Sequence, residues 1–353
     1  MENKKVLLGM SGGVDSSVSA LLLKKQGYEV IGITMQMWRE KEEDESGTSI
    51  VTDAAKVAEV LDIPFYVLDF KDVFRKNVVD YFVEEYLQGR TPNPCIVCNR
   101  HVKWEALLQR SRELGADYIA TGHYARIEQL KNGRYVVKNS VTSAKDQTYA
   151  LYNLTQEQLA HTLMPVGEYS KDEIRQIALE ANLPVAHKKD SQEICFIPDD
   201  DYASFLEREA GGRIPGPGNF VTKDGTVVGK HKGITHYTIG QRKGLNLSMG
   251  HPVFVNKICP ATSEVVIGTN EDVFASTLIC GKVNFMGMED LKEPRKVKAK
   301  IRYAHNGEMC LLEKMDEDKI KCTFDNPVRA ITPGQAVVFY EEDYVLGGGI
   351  IIE

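Results

Sequence analysis

Thiol chemistry has one concentrated seat in this chain. Cys95 and Cys98 stand three positions apart in Pro92-Asn93-Pro94-Cys95-Ile96-Val97-Cys98, whereas Cys195, Cys259, Cys280, Cys310 and Cys322 are scattered. A thiolate is a strong nucleophile, so such chemistry falls to this pair and to whichever distant cysteine reaches it. Two prolines fix the backbone ahead of Cys98, and a helix N-terminus following it is expected to lower the thiol pKa toward the thiolate. The alternative for each cysteine taken singly is a core residue.

A second constellation is Ser11-Gly12-Gly13-Val14-Asp15-Ser16-Ser17. Glycines let a backbone turn its N–H groups toward an anion, serine hydroxyls add donors, and a helix N-terminus adds favourable potential. The segment reads as a pyrophosphate cradle. It lacks the Gly-Lys-Ser/Thr ending of a Walker A loop and the spacing of a dinucleotide fingerprint. The bland alternative is a serine-capped βα turn.

The elements that must position these groups alternate. Residues 4–9 read as a buried strand, 16–26 as a helix closed by Gly27, 28–34 as a strand, 53–61 as a helix, 64–69 as a strand and 73–87 as a helix. A further helix over 99–114 leads to Tyr118-Ile-Ala-Thr-Gly-His-Tyr, a strand ending in a Gly-His loop. This β-α alternation predicts an α/β fold with a doubly wound parallel sheet, whose strand ends are where ligands bind. The charged run 39–49 reads as a solvated loop. Gly211-Gly-Arg-Ile-Pro-Gly-Pro-Gly marks a boundary near 200–212. Beyond it come short strands, and segments such as 297–303 and 336–340 read as alternating in the manner of a small antiparallel barrel.

With 353 residues, 42% hydrophobic and 26% charged, the chain has ample material for two or three domains and matches neither a disordered nor a membrane-bundle composition. The formal charge of −7 argues against a uniformly basic nucleic-acid coat. It leaves room for a local basic face, and residues 291–302 hold six Lys/Arg against one Glu. The first apolar stretch ends at Ser11, too short for an export signal, so a cytoplasmic protein with reduced thiols and no membrane partner is expected.

Ser-Gly-Gly-Val-Asp-Ser-Ser resembles the PP-loop of ATP pyrophosphatases, which adenylate an oxygen and release pyrophosphate. The segments Gly89-Arg-Thr-Pro-Asn-Pro-Cys-Ile-Val-Cys98 and Lys189-Asp-Ser-Gln-Glu-Ile-Cys195 narrow this further: both resemble the bacterial tRNA-specific 2-thiouridylases (the MnmA family). So do Ala120-Thr-Gly-His-Tyr, Ser143-Ala-Lys-Asp-Gln-Thr-Tyr, Tyr237-Thr-Ile-Gly-Gln-Arg-Lys-Gly-Leu and Thr332-Pro-Gly-Gln, in order along nearly the whole chain. The resemblance implies a PP-loop catalytic domain with tRNA-contacting helices over 1–205, a small central domain over 206–268 and a C-terminal antiparallel β-barrel over 269–353.

It further implies ATP-dependent 2-thiolation of the wobble uridine of tRNA, with ATP and Mg²⁺ as cofactors and a cysteine desulfurase or relay protein as sulfur donor. Cys195 would carry the persulfide, and Cys98 would be the nucleophile that ends in a disulfide with it. Gly9, Met10, Ser11, Gly12, Gly13, Val14, Asp15 and Ser16 would hold ATP, with Met35 and Gly122 on the adenine side. Asn93, Pro94 and Cys95 would meet the target base, which must leave its stack. Lys145, Asp146, Gln147, Arg302 and Tyr303 would contact tRNA, and His123 and Gln335 match further positions of importance.

One departure stands out: many members read Asn-Pro-Asp where this chain has Asn93-Pro94-Cys95. That removes a carboxylate and creates C-x-x-C, so Cys95, Cys98 and Cys195 become a conceivable three-thiolate set for a [4Fe-4S] cluster, the alternative to the persulfide route; structural zinc is a third reading. Competing functions are another PP-loop synthetase, which would leave Cys98 and Cys195 without a role, and a noncatalytic tRNA-binding protein. The sequence leaves oligomeric state open, with a monomer as the simplest expectation.

Overall fold

The structure, a computed structural model, describes residues 4–38, 50–189, 194–197 and 201–353. The charged run 39–49 and residues 190–193 of the Cys195 segment lie outside the described residues.

Seven strands precede residue 164: β1 (Lys5–Gly9), β2 (Glu29–Gln36), β3 (Phe65–Asp69), β4 (Tyr118–Ala120), β5 (Ala125–Gln129), β6 (Tyr135–Asn139) and β7 (Thr162–Leu163). Five of them form a parallel sheet in the order β3-β2-β1-β4-β7. Val6, Leu7 and Leu8 of central β1 are fully buried, as a strand covered on both faces must be. Gly9 lies beside Ile33 of β2, and Leu8 beside Ala120 of β4, so the carboxyl ends of three strands meet where the serine-glycine loop begins.

The expected helices form, with shifted ends. The first spans Val14–Lys25, two residues earlier than expected at its start, and closes on Gly27 at φ 86°. The second is Ile50–Val60. Residues 71–87 are continuously helical with π-helical Arg75–Val79 in the middle. The helix expected from Asn99 begins at Pro94, with Asn93 as its cap, and passes through π-helical Asn99–Ala106 before ending at Glu113. Proline at the first helical position, after a capping asparagine, is a good start signal.

The middle segment forms β8 (Gly218–Val221), β9 (Val227–His231), β10 (Phe254–Cys259) and β11 (Glu264–Gly268) in the order β10-β11-β8-β9, around Phe220, Val255 and Val265. The last segment forms β12 (Phe274–Phe285), β13 (Arg295–Lys300), β14 (Glu308–Lys314), β15 (Ile320–Arg329), β16 (Ala336–Glu341) and β17 (Tyr344–Ile351). The pairing β12–β17 closes these six into an antiparallel barrel. Along β13, Val297 and Ala299 are buried between exposed lysines, the expected alternation.

In β16 the expected alternation fails, because Ala336 to Tyr340 are all buried. Val337 and Phe339 fill the barrel, while Ala336, Val338 and Tyr340 pack outward into a cluster with Trp104, Tyr149 and Tyr152. The hairpin β5–β6 also crosses over, since β6 pairs with β17 at Lys138 and Tyr344. The first segment and the barrel thus share one core. A Cβ on Gly348 would lie 2.6 Å from Val337 O and 2.7 Å from the Tyr152 ring. Gly348→Ala is expected to destabilise the protein by about 1–3 kcal/mol, read as a lower urea midpoint; an unchanged midpoint would show that this seam yields.

Among the described residues, no helix is long and apolar enough to cross a membrane.

Candidate active site

The loop after β1 is organised from within. Gly12 takes φ 64° and Gly13 caps the helix in extended geometry. Ser16 Oγ accepts from Ser11 N (3.2 Å), and the hydroxyls of Ser16 and Ser17 donate to Gly13 O (3.2 and 2.8 Å). Met10 N donates to Ile33 O, and Thr34 Oγ1 donates to Met10 O, tying the loop entry to β2. Met10, Val14 and Ser16 are buried. A Cβ on Gly9 would touch Met35 Cε at 3.4 Å, and one on Gly122 would lie 2.7 Å from Ser16 N. The structure thus brings Gly9, Met35 and Gly122 to the loop.

Two lysine-carboxylate pairs flank the loop, and sequence reasoning missed them. Asp15 accepts from Lys171 Nζ at 2.7 and 2.9 Å and from Tyr124 Oη at 2.8 Å. Asp53, set against Gly12, accepts from Lys188 Nζ at 2.6 Å. Separations of 156 and 135 residues leave no local sequence signal for either pair.

The thiol site differs electrostatically from expectation. Because the helix starts at Pro94, Cys98 is its fifth residue and not a residue preceding it. Cys98 is buried, its Sγ 3.9 Å from Met37 Sδ. Burial pushes its thiol up to about 12; Lys103 opposes that rise, and Cys195 and Cys95 add to it. The expected lowering by a helix N-terminus is thus overturned by desolvation. Cys195 presents surface to solvent, yet partial desolvation by surrounding chain also raises its thiol, again against Lys103. Alkylation of Cys98 by iodoacetamide is accordingly expected to keep climbing with pH beyond 9, because the thiolate is the reactive form and its fraction still grows below a raised pKa. A plateau below pH 8, read by peptide mass spectrometry, would contradict this.

Phe196 and Ile197 anchor Cys195. Phe196 packs edge-on against Phe74 (5.6 Å) and Phe82 (5.4 Å) and beside Trp38 and Phe205. Phe196→Ala is expected to cost about 3–5 kcal/mol, measured by chemical unfolding, because it empties this aromatic cluster; a loss under 1 kcal/mol would deny it the anchoring role.

All seven cysteines are free thiols. Among the described residues, no three His, Cys, Asp or Glu side chains converge as a metal-binding group. Cys95, Cys98 and Cys195 therefore do not form the three-thiolate set of the cluster alternative, nor part of the four-ligand set of a structural zinc.

Asn93 Oδ1 accepts from Cys95 N at 3.1 Å, fixing the turn that leaves Cys95 exposed and Pro94 buried. Gln335 Nε2 donates to Thr91 O at 2.8 Å, and Thr91 N donates to Pro333 O. The barrel loop around Gln335 thus clasps the irregular segment leading into Asn93. His123 is half-buried beside Trp104, with Nδ1 2.9 Å from Thr121 Oγ1; desolvation first, then Lys103, lowers its pKa well below the usual value, which keeps it neutral.

The two segments expected to face tRNA meet. Tyr303 Oη donates to Asp146 O at 3.0 Å, and the Tyr303 ring stands edge-on to Tyr149. Asp146 accepts from Ser140 N and Thr148 N, and Gln147 Oε1 accepts from Tyr124 N, so these two residues shape the loop around Lys145. Arg302 donates to Arg329 O at 2.7 Å, and burial first, then Arg329, lowers its pKa. Several cations of 291–302 are balanced locally: Arg295 pairs with Glu341, Lys296 with Asp325, and Lys300 lies over the Tyr340 ring.

Comparison with known proteins accords with this architecture. Family models match in three blocks: the tRNA methyl transferase HUP domain over residues 4–199, the tRNA methyl transferase PRC-barrel domain over 203–269 and the aminomethyltransferase beta-barrel domain over 275–351. The tRNA-specific 2-thiouridylase MnmA of Lachnoclostridium phytofermentans is 58% identical over 357 residues, covering 99% of this chain and 100% of its own. That of Clostridioides difficile is 54% identical over 355 residues, covering 99% and 98%. Among solved structures, a U34-tRNA thiolase from Methanococcus maripaludis with its [4Fe-4S] cluster covers 60% of this chain and 68% of its own at 22% identity and TM-score 0.36, a likeness too slight to bear on the chemistry. With a family model matched across more than half of its length and relatives this similar end to end, the chain belongs to the tRNA-specific 2-thiouridylase family.

Proposed function

We propose that the protein is an ATP-dependent tRNA-uridine 2-sulfurtransferase acting on the wobble uridine. The observation that carries this reading is the end of β2. Met35 lies against Gly9 of the nucleotide loop, and Met37, just beyond the strand, lies against Cys98. One strand end thus serves a nucleotide loop and a thiol site together, as adenylation followed by sulfur transfer requires.

The uracil C2 carbonyl is a poor electrophile. Attack of its oxygen on the α-phosphorus of ATP forms an O–P bond and expels pyrophosphate, and the C2 oxygen becomes part of a leaving group. The terminal sulfur of a Cys195 persulfide then adds to C2. The Cys98 thiolate attacks Cys195 Sγ, the sulfur-sulfur bond breaks with its electron pair moving to the transferred sulfur, and AMP departs as C2=S forms. The resulting Cys98–Cys195 disulfide needs two electrons from a dithiol reductant before the next turnover.

Ser11 to Ser16 supply donors to the phosphates. Mg²⁺ takes one or two carboxylates alongside substrate phosphates, and Asp15 and Asp53 are the carboxylates set beside the loop; the ion would neutralise phosphate charge. Asn93, Pro94 and Cys95 bound the base site, and Lys145, Arg302 and Tyr303 contact the tRNA backbone. A cysteine desulfurase, directly or through a relay, loads Cys195. The cytoplasm supplies ATP, tRNA and reductant.

The test is release of pyrophosphate from ATP with and without tRNA. Release stimulated by tRNA and accompanied by 2-thiouridine is expected. Release driven by a small acid or amine alone would mark another PP-loop synthetase, and no release at all would mark a noncatalytic tRNA binder.

A further inference from the structure

Lys103 stands five residues beyond Cys98. At about 3.6 residues per turn, an α-helix would point residues five apart roughly 140° away from each other. Here the chain runs π-helically over Asn99–Ala106, directly from Cys98. The i→i+5 bonding of a π-turn brings residues at that spacing onto one side, and such turns recur at functional sites.

We infer that Lys103 is a positioning residue of the thiol site, a fixed cation that stabilises the sulfur anions of Cys98 and Cys195 during sulfur transfer. The inference rests on the two-thiol reading given above.

Lys103 is half-buried and, among the described residues, makes no hydrogen bond or ion pair. Lys103 keeps part of its surface in water and holds no anion among the described residues, so its ammonium is available to an anion that forms in the reaction. Among the described residues, Lys103, Cys195 and Cys95 act electrostatically on Cys98, and Lys103 and Cys95 act on Cys195; Lys103 also acts on His123. It is the one formal charge in that set. Cys95 stands where many family members carry aspartate, so position 95 offers no carboxylate to compete for the ammonium.

The test uses the full-length protein and iodoacetamide, with Cys98 and Cys195 followed separately by peptide mass spectrometry across pH. Lys103→Met is expected to slow alkylation of both thiols about tenfold at pH 8, equivalent to an upward shift of about one pH unit. Lys103→Arg, which keeps the charge, is expected to restore the rate to within about threefold. Wild-type alkylation profiles in Lys103→Met would overturn the inference. So would equal slowing in Lys103→Arg with a wild-type urea midpoint, because shape and not charge would then be what matters. Alkylation needs neither ATP nor tRNA, so failure here is separate from failure of the two-thiol reaction, which single-turnover thiolation by Cys98→Ser and Cys195→Ser reads directly.

Discussion

Serine in place of Cys195 or of Cys98 is expected to abolish formation of 2-thiouridine, by roughly 10³-fold or more in a single turnover without added thiol, while tRNA affinity stays near wild type. A hydroxyl at 195 cannot carry a persulfide at all. At 98 it lacks the soft, polarisable nucleophile that breaks the sulfur-sulfur bond. Cys98 is buried, so a serine hydroxyl there costs about 1–3 kcal/mol on its own account unless it finds a partner. Cys98→Ala supplies the control, since it loses the nucleophile without burying a new polar group. Both Cys98 variants should be inactive. Full activity in either, with Cys195→Ser also active, would remove the two-thiol assignment. Cys95→Ser is expected to retain thiolation, because Cys95 is exposed and does not join Cys98 and Cys195 in a metal-binding group among the described residues.

Gly122→Ala is the second large effect, and it strikes the adenylation step. The added Cβ would lie 2.7 Å from Ser16 N, 2.9 Å from Asp15 C and 3.1 Å from Ser16 Cα, all backbone atoms of the helix start. No flexible side chain can yield there, so the loop or β4's exit must move. A displacement near 1 Å at a phosphate-positioning loop lowers rate on the order of 10²-fold, and pyrophosphate release is expected to fall by at least that much. Gly216→Ala is the matched control, because nothing lies within 4 Å of its Cβ and its backbone is not left-handed. Unaltered pyrophosphate release in Gly122→Ala would show that this glycine does not pack over the nucleotide loop in the working enzyme.

Much of the catalytic half was legible because its signals are local. Ser11 to Ser17 run from the end of a buried strand into the first turn of a helix, and Gly27 closes that helix with the positive φ that glycine tolerates. The parallel sheet followed from alternating elements, with boundaries moved by a few residues wherever a cap was misplaced. Asn93 and Pro94 illustrate this: read as fixing the backbone ahead of a later helix, they are themselves its cap and first turn, which relocates Cys98 into the helix, where burial raises its thiol pKa.

What was illegible is long-range. The Asp15–Lys171 and Asp53–Lys188 pairs join residues with no shared pattern. β16 is an unbroken apolar run in place of the expected alternation, and only its double burial, barrel on one side and Trp104, Tyr149 and Tyr152 on the other, explains why. The crossing of β5–β6 into the barrel sheet has the same character. The π-helical stretch Asn99–Ala106, in which Lys103 stands five residues beyond Cys98, follows from no propensity in its sequence.

The most direct test is one turnover, under anaerobic conditions, of protein preloaded with labelled persulfide on Cys195 and given ATP and unmodified tRNA. The account predicts one AMP and one pyrophosphate per 2-thiouridine, the label at the wobble position, and a Cys98–Cys195 disulfide in the spent protein. Label transferred without AMP, or thiouridine formed while Cys98 and Cys195 remain unlinked, would contradict it.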